Sequence, residues 1–230
     1  MGKGARLGLV LALFVAAFGL VTYAVVAYVV PKPPVIDFAA GHSAGTPVDL
    51  HLQVVGSLGY GPHPTYVSYL TMNPSGKWVH TTRWDLPANT QVNVTIDQYD
   101  SGSPLRNQYF GGVTGTLGGK ATLNGKSFTV LNANNGAGVG HTFTMPALGV
   151  SVPLWGVSST AKNACNQAAP CPSSAAHEVV KFSFMTPGSQ SVGHTYRWQC
   201  FVPCGLATVD GNGGPMQAIG YMGGFMTVEG

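Results

Sequence analysis

Apolar and polar residues follow two different rhythms along this chain of 230 residues. Residues Leu7 to Val30, LGLVLALFVAAFGLVTYAVVAYVV, are an unbroken apolar run without a charged side chain. At about 1.5 Å of rise per residue, such a run crosses a hydrocarbon core of about 30 Å. Beyond it the pattern changes to short alternations of apolar and polar positions, punctuated by Gly or Pro. VDLHLQVVG, TYVSYLTM, KWVHTTRW, QVNVTIDQY, KSFTVLNA, HTFTM, VVKFSFMT, HTYRWQC and GFMTVEG each read as a strand rich in β-branched and aromatic residues. No segment after the first thirty residues carries a helical period. Short strands at this spacing predict an all-β sandwich or small barrel behind one N-terminal transmembrane helix.

The flanks orient that helix. Lys3 and Arg6 precede it, so the positive-inside bias places the N-terminus in the cytoplasm and everything after Pro31 outside. The run is longer than a signal-peptide core and continues past Ala27, which favours an uncleaved single-pass anchor in the cell membrane. PKPP at Pro31 to Pro34 predicts a stiff linker and GHSAGTP at Gly41 to Pro47 a mobile one. The expected organisation is an anchor over 1–30, a linker over 31–47 and an extracytoplasmic domain over 48–230.

Charge narrows the partners. Only 8 % of the residues are Asp, Glu, Lys or Arg, against about 25 % in ordinary soluble domains. Nucleic acid is not an expected partner, because a phosphate-binding surface needs clustered Lys and Arg. Few ionisable groups also predict a stability that changes little with pH. Neither Gly-rich stretch, Gly111 to Gly119 or Asn132 to Gly140, opens a helix, so both read as loops rather than phosphate cradles. Asn93-Val94-Thr95 matches a glycosylation acceptor but sits inside an alternating strand.

The candidate chemistry lies in sulfur. Of the four cysteines, Cys165 and Cys171 sit in the polar stretch NACNQAAPCP with no histidine or carboxylate close by, and an exported domain predicts a disulfide there. Cys200 and Cys204, in YRWQCFVPCG, follow a strand and open a segment that carries Met216 and Met222. His141 begins another strand just after a glycine loop. Thiolate and thioether donors joined by an imidazole select copper over harder ions. A Cys200–Cys204 disulfide is the competing reading, open to any pair whose Cα atoms come within about 7 Å.

From Trp84 to Val228 the sequence resembles the cupredoxin superfamily. HTFTMPALGVSVP is similar to that family's early "H-x-F" strand, which puts His141 in the place of its first histidine ligand. Cys200 takes the place of the cysteine, and Met222, in GYMGGFMTV, that of the axial methionine before the final strand. Gln199-Cys200-x-x-x-Cys204-Gly205 looks most like the dinuclear copper motif of cytochrome oxidase subunit II. In that motif a histidine follows the second cysteine by four residues and a methionine comes three later, where this chain has Thr208 and Gly211. No histidine follows His194, so the ligand set is incomplete by the family's pattern, with Met216, Met222 or the Val202 carbonyl as substitutes.

The resemblance implies a cupredoxin-like Greek-key β-sandwich that binds copper through His141, Cys200, Cys204 and Met222, with Met216 in reserve. It also implies electron transfer to or from a respiratory oxidase or another membrane complex, as a subunit rather than a stand-alone catalyst. The alternative is a metal-free fold with Cys200 bonded to Cys204, serving as a structural or accessory subunit of a membrane complex or the cell envelope.

Other residues read as structural. His194 should lie roughly 20 Å up its strand from Cys200. His42, His51, His63, His80 and His177 are scattered without ligand spacing, and nothing local gathers them into a zinc site. Asp97 and Asp100, three apart in VTIDQYD, point to opposite faces of a strand and read as turn formers, not an acid and base pair. Neither a GxSxG elbow nor an HExxH motif occurs. Trp78, Trp84, Trp155 and Trp198 read as core or rim aromatics.

Overall fold

The computed structural model describes residues 2–26, 33–205 and 214–230. They fall into two compact units, residues 1–32 and 33–230. The first holds helix α1, Lys3–Ala24, whose stretch Gly4–Ala24 is long and apolar enough to cross a membrane. The remainder of the expected span, 27–30, lies outside the described residues, as does the start of the PKPP linker.

The second unit is all-β: two sheets packed face to face. One sheet has the order β1 (Ile36–Asp37), β5 (Arg83–Pro87), β13 (Gly223–Glu229), β12 (Thr195–Gln199), β9 (Val139–Met145) and β10 (Val150–Trp155). The other runs β4 (Trp78–Val79), β3 (Ser68–Met72), β2 (Val48–Val55), β6 (Gln91–Gln98), β11 (Glu178–Met185), β7 (Ala121–Leu123) and β8 (Lys126–Phe128). Most pairs are antiparallel, but β1 with β5, β5 with β13 and β2 with β6 are parallel.

The alternation seen in the sequence is the alternation of burial. Along β6, Val92, Val94 and Ile96 are buried while the residues between them are half-exposed. Along β13, Met226 and Val228 point inward in the same way. Between the sheets, Trp198 stacks on Trp84 with ring centres 4.7 Å apart and on Phe143 at 5.1 Å. The indole N–H of Trp84 donates to Thr71 Oγ1, and that of Trp198 to the carbonyl of Thr82, so neither buried ring leaves a donor unpaired.

Two expectations need correction, and one strand was not foreseen. The stretch 31–47 is not all linker: Ile36–Asp37 pairs with Trp84–Asp85, and the hydroxyl of Thr81 donates to the carbonyl of Pro34, so the folded unit begins upstream of Val48. KWVHTTRW is not one strand. Its first half belongs to one sheet as β4 and its end to the other as β5, and the chain changes layer where the buried hydroxyls of Thr81 and Thr82 bond to main-chain carbonyls. VSVPLW, with a proline in it, does not stand out as a strand, yet it forms β10. It lies at a sheet edge opposite β9, and Thr142, across from Pro153, sends both its N–H and its carbonyl the other way, so the missing proline N–H leaves no bond unmade.

Candidate metal centre

The site forms where β12 ends. Antiparallel pairing of β12 with β9 stops at Gln199 opposite Thr144. The next positions cannot continue the ladder, and side chains replace it: Phe201 N–H donates to Thr142 Oγ1 at 2.8 Å, and Thr142 N–H points at Cys200 Sγ at 3.4 Å. From the other flank, Cys200 N–H donates to the carbonyl of Met222, just ahead of β13, at 2.8 Å. Cys200 is thus held at the closed end of the sheet, wholly buried.

His141 comes to it from β9, 1 % exposed. Its Nδ1 lies 3.8 Å from Cys200 Sγ, and its Nε2 lies 3.0 Å from Asp100 Oδ2. Gly140 makes room for this arrangement, because a Cβ there would stand 2.6 Å from the carbonyl oxygen of Ser101, the residue after Asp100. Cys204, four residues past Cys200, places its sulfur 3.8 Å from that of Cys200 and 3.1 Å from Met216 Sδ. The oxygen of the Val202 carbonyl is 3.3 Å from Cys200 Sγ. The ligand atoms of His141, Cys200 and Cys204 all lie within 4.8 Å of one another.

The electrostatics reinforce the geometry. Burial alone would raise the Cys200 thiol. The hydrogen bonds from Cys204 and His141, the imidazolium charge and the Thr142 N–H outweigh it and hold the thiol well below its usual range. Burial likewise works against charge on His141, but the Asp100 hydrogen bond and the Cys200 sulfur win, taking its pKa up to about 9. Cys204 moves the other way, because its thiol donates to Cys200, is buried and sits beside negative charge. The contacts thus favour charge on His141 and on the Cys200 sulfur and disfavour it on Cys204. Tyr69, buried between the sheets, is pushed well above its ordinary value first by burial and then by the two cysteines.

The five residues singled out in the sequence are not used alike. His141, Cys200 and Cys204 converge, and the thioether brought against them is that of Met216, on a single 3-10 turn over Gly214–Met216. Met222 is wholly buried and is tied to the site through its main chain: its carbonyl takes the Cys200 N–H, and its N–H donates to the Pro215 carbonyl at 3.2 Å. Thr208 and Gly211 lie outside the described residues. Among the described residues no second histidine joins the group. His51 pairs with Asp97 at 2.8 Å, His177 stacks on Tyr99, and His63 and His80 pack among Tyr60, Tyr66 and Tyr221. Cys165 and Cys171 are joined by a disulfide.

Sequence reasoning named the Val202 carbonyl, which lies beside Cys200, but missed Asp100 and Thr142 as parts of the site. Asp100 was open to discovery, being one of only eight acidic residues and standing just past the end of a confident strand. Thr142 acts through its N–H and its hydroxyl, and a threonine inside an alternating strand carries no mark of either role.

No protein-family model matches this chain, and no curated protein does. Among solved structures, it is similar to the copper protein rusticyanin, at 14 % identity and a TM-score of 0.35, over 85 % of this chain and 82 % of that one.

Proposed function

We propose that the second unit is a copper-binding, cupredoxin-like domain that exchanges single electrons, carried on a membrane anchor. The observation that supports this best is the spacing of the donors. On one tetrahedral ion two sulfurs bonded at about 2.3 Å stand about 3.8 Å apart, and a sulfur and an imidazole nitrogen bonded at about 2.0–2.1 Å stand about 3.6 Å apart. Cys200 and Cys204 sulfurs are 3.8 Å apart, and Cys200 Sγ and His141 Nδ1 are 3.8 Å apart. Thiolate, thioether and imidazole donors in a buried setting form a soft set that suits copper and does not suit magnesium or calcium.

In this reading Cys200, as a thiolate, and His141, through Nδ1, would be the principal ligands, with Cys204 and Met216 completing the set and the Val202 carbonyl beside Cys200. Loading would release to solvent the Cys204 proton and any proton on His141 Nδ1. Bound copper supplies reversible one-electron exchange. The chain supplies the rest: the β9 and β12 ends fix the donors, and burial keeps water from them. The set has one imidazole where the cupredoxin pattern has two, and a second sulfur near enough to fill that place. A respiratory oxidase or another membrane complex is the proposed redox partner, and an extracytoplasmic position is the proposed location, in keeping with the apolar helix and the basic residues before it.

The test is to load the full chain, in detergent, with copper. Stoichiometric copper with strong visible absorption in the oxidised form, abolished by Cys200→Ser, supports the reading. A colourless protein with a quantitative Cys200–Cys204 disulfide overturns it in favour of the metal-free accessory role.

A further inference from the structure

The carboxylate of Asp100 is the strongest feature outside the donor set, and its geometry is built rather than incidental. Its Oδ2 meets His141 Nε2 at 3.0 Å, while its Oδ1 accepts the N–H of Ser101 at 2.8 Å. Its own N–H donates to Gln98 Oε1 at 3.1 Å, and its carbonyl accepts from Val157 N–H at 2.9 Å. Four bonds thus hold both carboxylate oxygens and the main chain of this residue. Gly56 lies against it so closely that a Cβ there would come within 2.5 Å of Oδ1. On its outer side Asp100 lines a cleft of about 420 Å³ with Ser57, Ser101 and Ser158. The imidazole behind it is only 1 % exposed.

An imidazole can offer either nitrogen to a metal, and the hydrogen bond made by one nitrogen determines which remains. With Nε2 committed to Asp100, the ring turns Nδ1 toward Cys200. We propose that Asp100 is the positioning residue of the site: its carboxylate fixes the His141 ring so that Nδ1, and not Nε2, is the donor presented to the sulfurs. This inference rests on the copper reading and adds a residue that the sequence pattern does not mark. The role belongs to the hydrogen bond, so an asparagine, whose side-chain oxygen can accept the same N–H, fulfils it, and an alanine does not.

The experiment uses the full chain in detergent, labelled with ¹⁵N-histidine, with silver(I) as a redox-silent soft ion and His141→Gln to assign the resonance. In the native protein the His141 Nε2–H is protected from exchange, and silver moves the Nδ1 resonance alone. Asp100→Asn keeps both signatures and binds silver within about threefold of native, whereas Asp100→Ala exposes the Nε2–H to exchange and weakens binding about 10- to 100-fold. Thermal unfolding confirms that each variant is folded. If folded Asp100→Ala binds silver like the native protein with the same Nδ1 shift, the positioning role is overturned and the metal site stands. Asp100→Asn as weak as Asp100→Ala also overturns it, assigning the effect to charge. If saturating silver leaves the native His141 resonances unmoved, the metal site itself falls and the inference with it.

Discussion

The amide of Thr142 points at the sulfur of Cys200 across 3.4 Å, two residues joined by no ladder bond and 58 positions apart in the chain. Beside it, the Thr142 hydroxyl accepts from Phe201 N–H and takes a hydrogen bond from Thr144 Oγ1 at 3.0 Å. One threonine therefore closes the sheet where its partner strand departs, and orients the first turn of the cysteine segment.

Thr142→Val tests this closure. The change keeps the shape and the amide but leaves Phe201 N–H, in a part-buried bond, without its acceptor, which costs about 0.5–1.5 kcal/mol. Denaturant unfolding of the metal-free protein should show a loss in that range, and Thr142→Ser should recover most of it. An unchanged midpoint in Thr142→Val would mean that the hydroxyl does not hold the loop.

Substitution of the two methionines tests which is ligand and which is scaffold. Met216→Leu removes the thioether beside Cys204 at little packing cost and should weaken copper(I) binding by about tenfold, which is about 1.4 kcal/mol. Met222→Leu should leave affinity within about threefold, since its link to the site is main-chain, while Met222→Ala should cost about 2–5 kcal/mol of stability through the cavity it opens. Competition titrations with a copper(I) chelator and urea unfolding measure the two effects. The reverse pattern of affinities would return the axial place to Met222.

How much of this was legible in the sequence depends on the range of the interaction. Strands such as β6, β11 and β13 declare themselves because each buries one face, and alternation is a local record of that. His141, Cys200 and Cys204 stand out because their residue types are rare and reactive. What stayed hidden was decided at a distance. β10 contains a proline that only its edge position excuses, and Ile36–Asp37 is a strand only because β5 lies beside it. Asp100 looks like any turn aspartate until β9 is laid next to it with His141 in register. The contact of Met216 Sδ with Cys204 is likewise set by how the loop folds, where family spacing pointed to Met222.

A sparsely charged chain concentrates its pH response in a few groups shielded from water, and half-buried His80 is one. Burial holds its pKa below the ordinary value, partly offset by a main-chain hydrogen bond with Gly220, and its Nε2 is buried without a partner. The folded state thus favours the neutral ring, while the unfolded chain takes up its proton at the ordinary value near 6.5. Between the two the unfolded state binds more protons, so stability is full above about 6.5, falls as pH drops through it, and levels off below the folded value. His80→Phe, which can keep the edge contacts with Tyr60 and Tyr221, should lose less stability between pH 7.5 and about 5 than the native protein. Equal losses in the two proteins would assign the acid limb elsewhere.

The approach of β13 to β5 leaves no room for a side chain at one position. Gly224 faces Trp198 across β12, and a Cβ there would stand 1.8 Å from the carbonyl oxygen of Thr82 and 2.4 Å from its hydroxyl. That carbonyl also takes the indole N–H of Trp198 and the N–H of Phe225, and the Thr82 hydroxyl donates to Gly223 O, so it cannot withdraw without breaking the join between β5, β12 and β13. Gly224→Ala should therefore cost at least about 1–3 kcal/mol, the usual penalty of overpacking, although alanine is otherwise the mildest replacement. The damage should spread to the centre, since Met222, two residues upstream, receives the Cys200 N–H. Unfolding curves and copper titration of the same variant measure both consequences. A Gly224→Ala protein of native stability would show that these strands can part without cost and that the site does not depend on their contact.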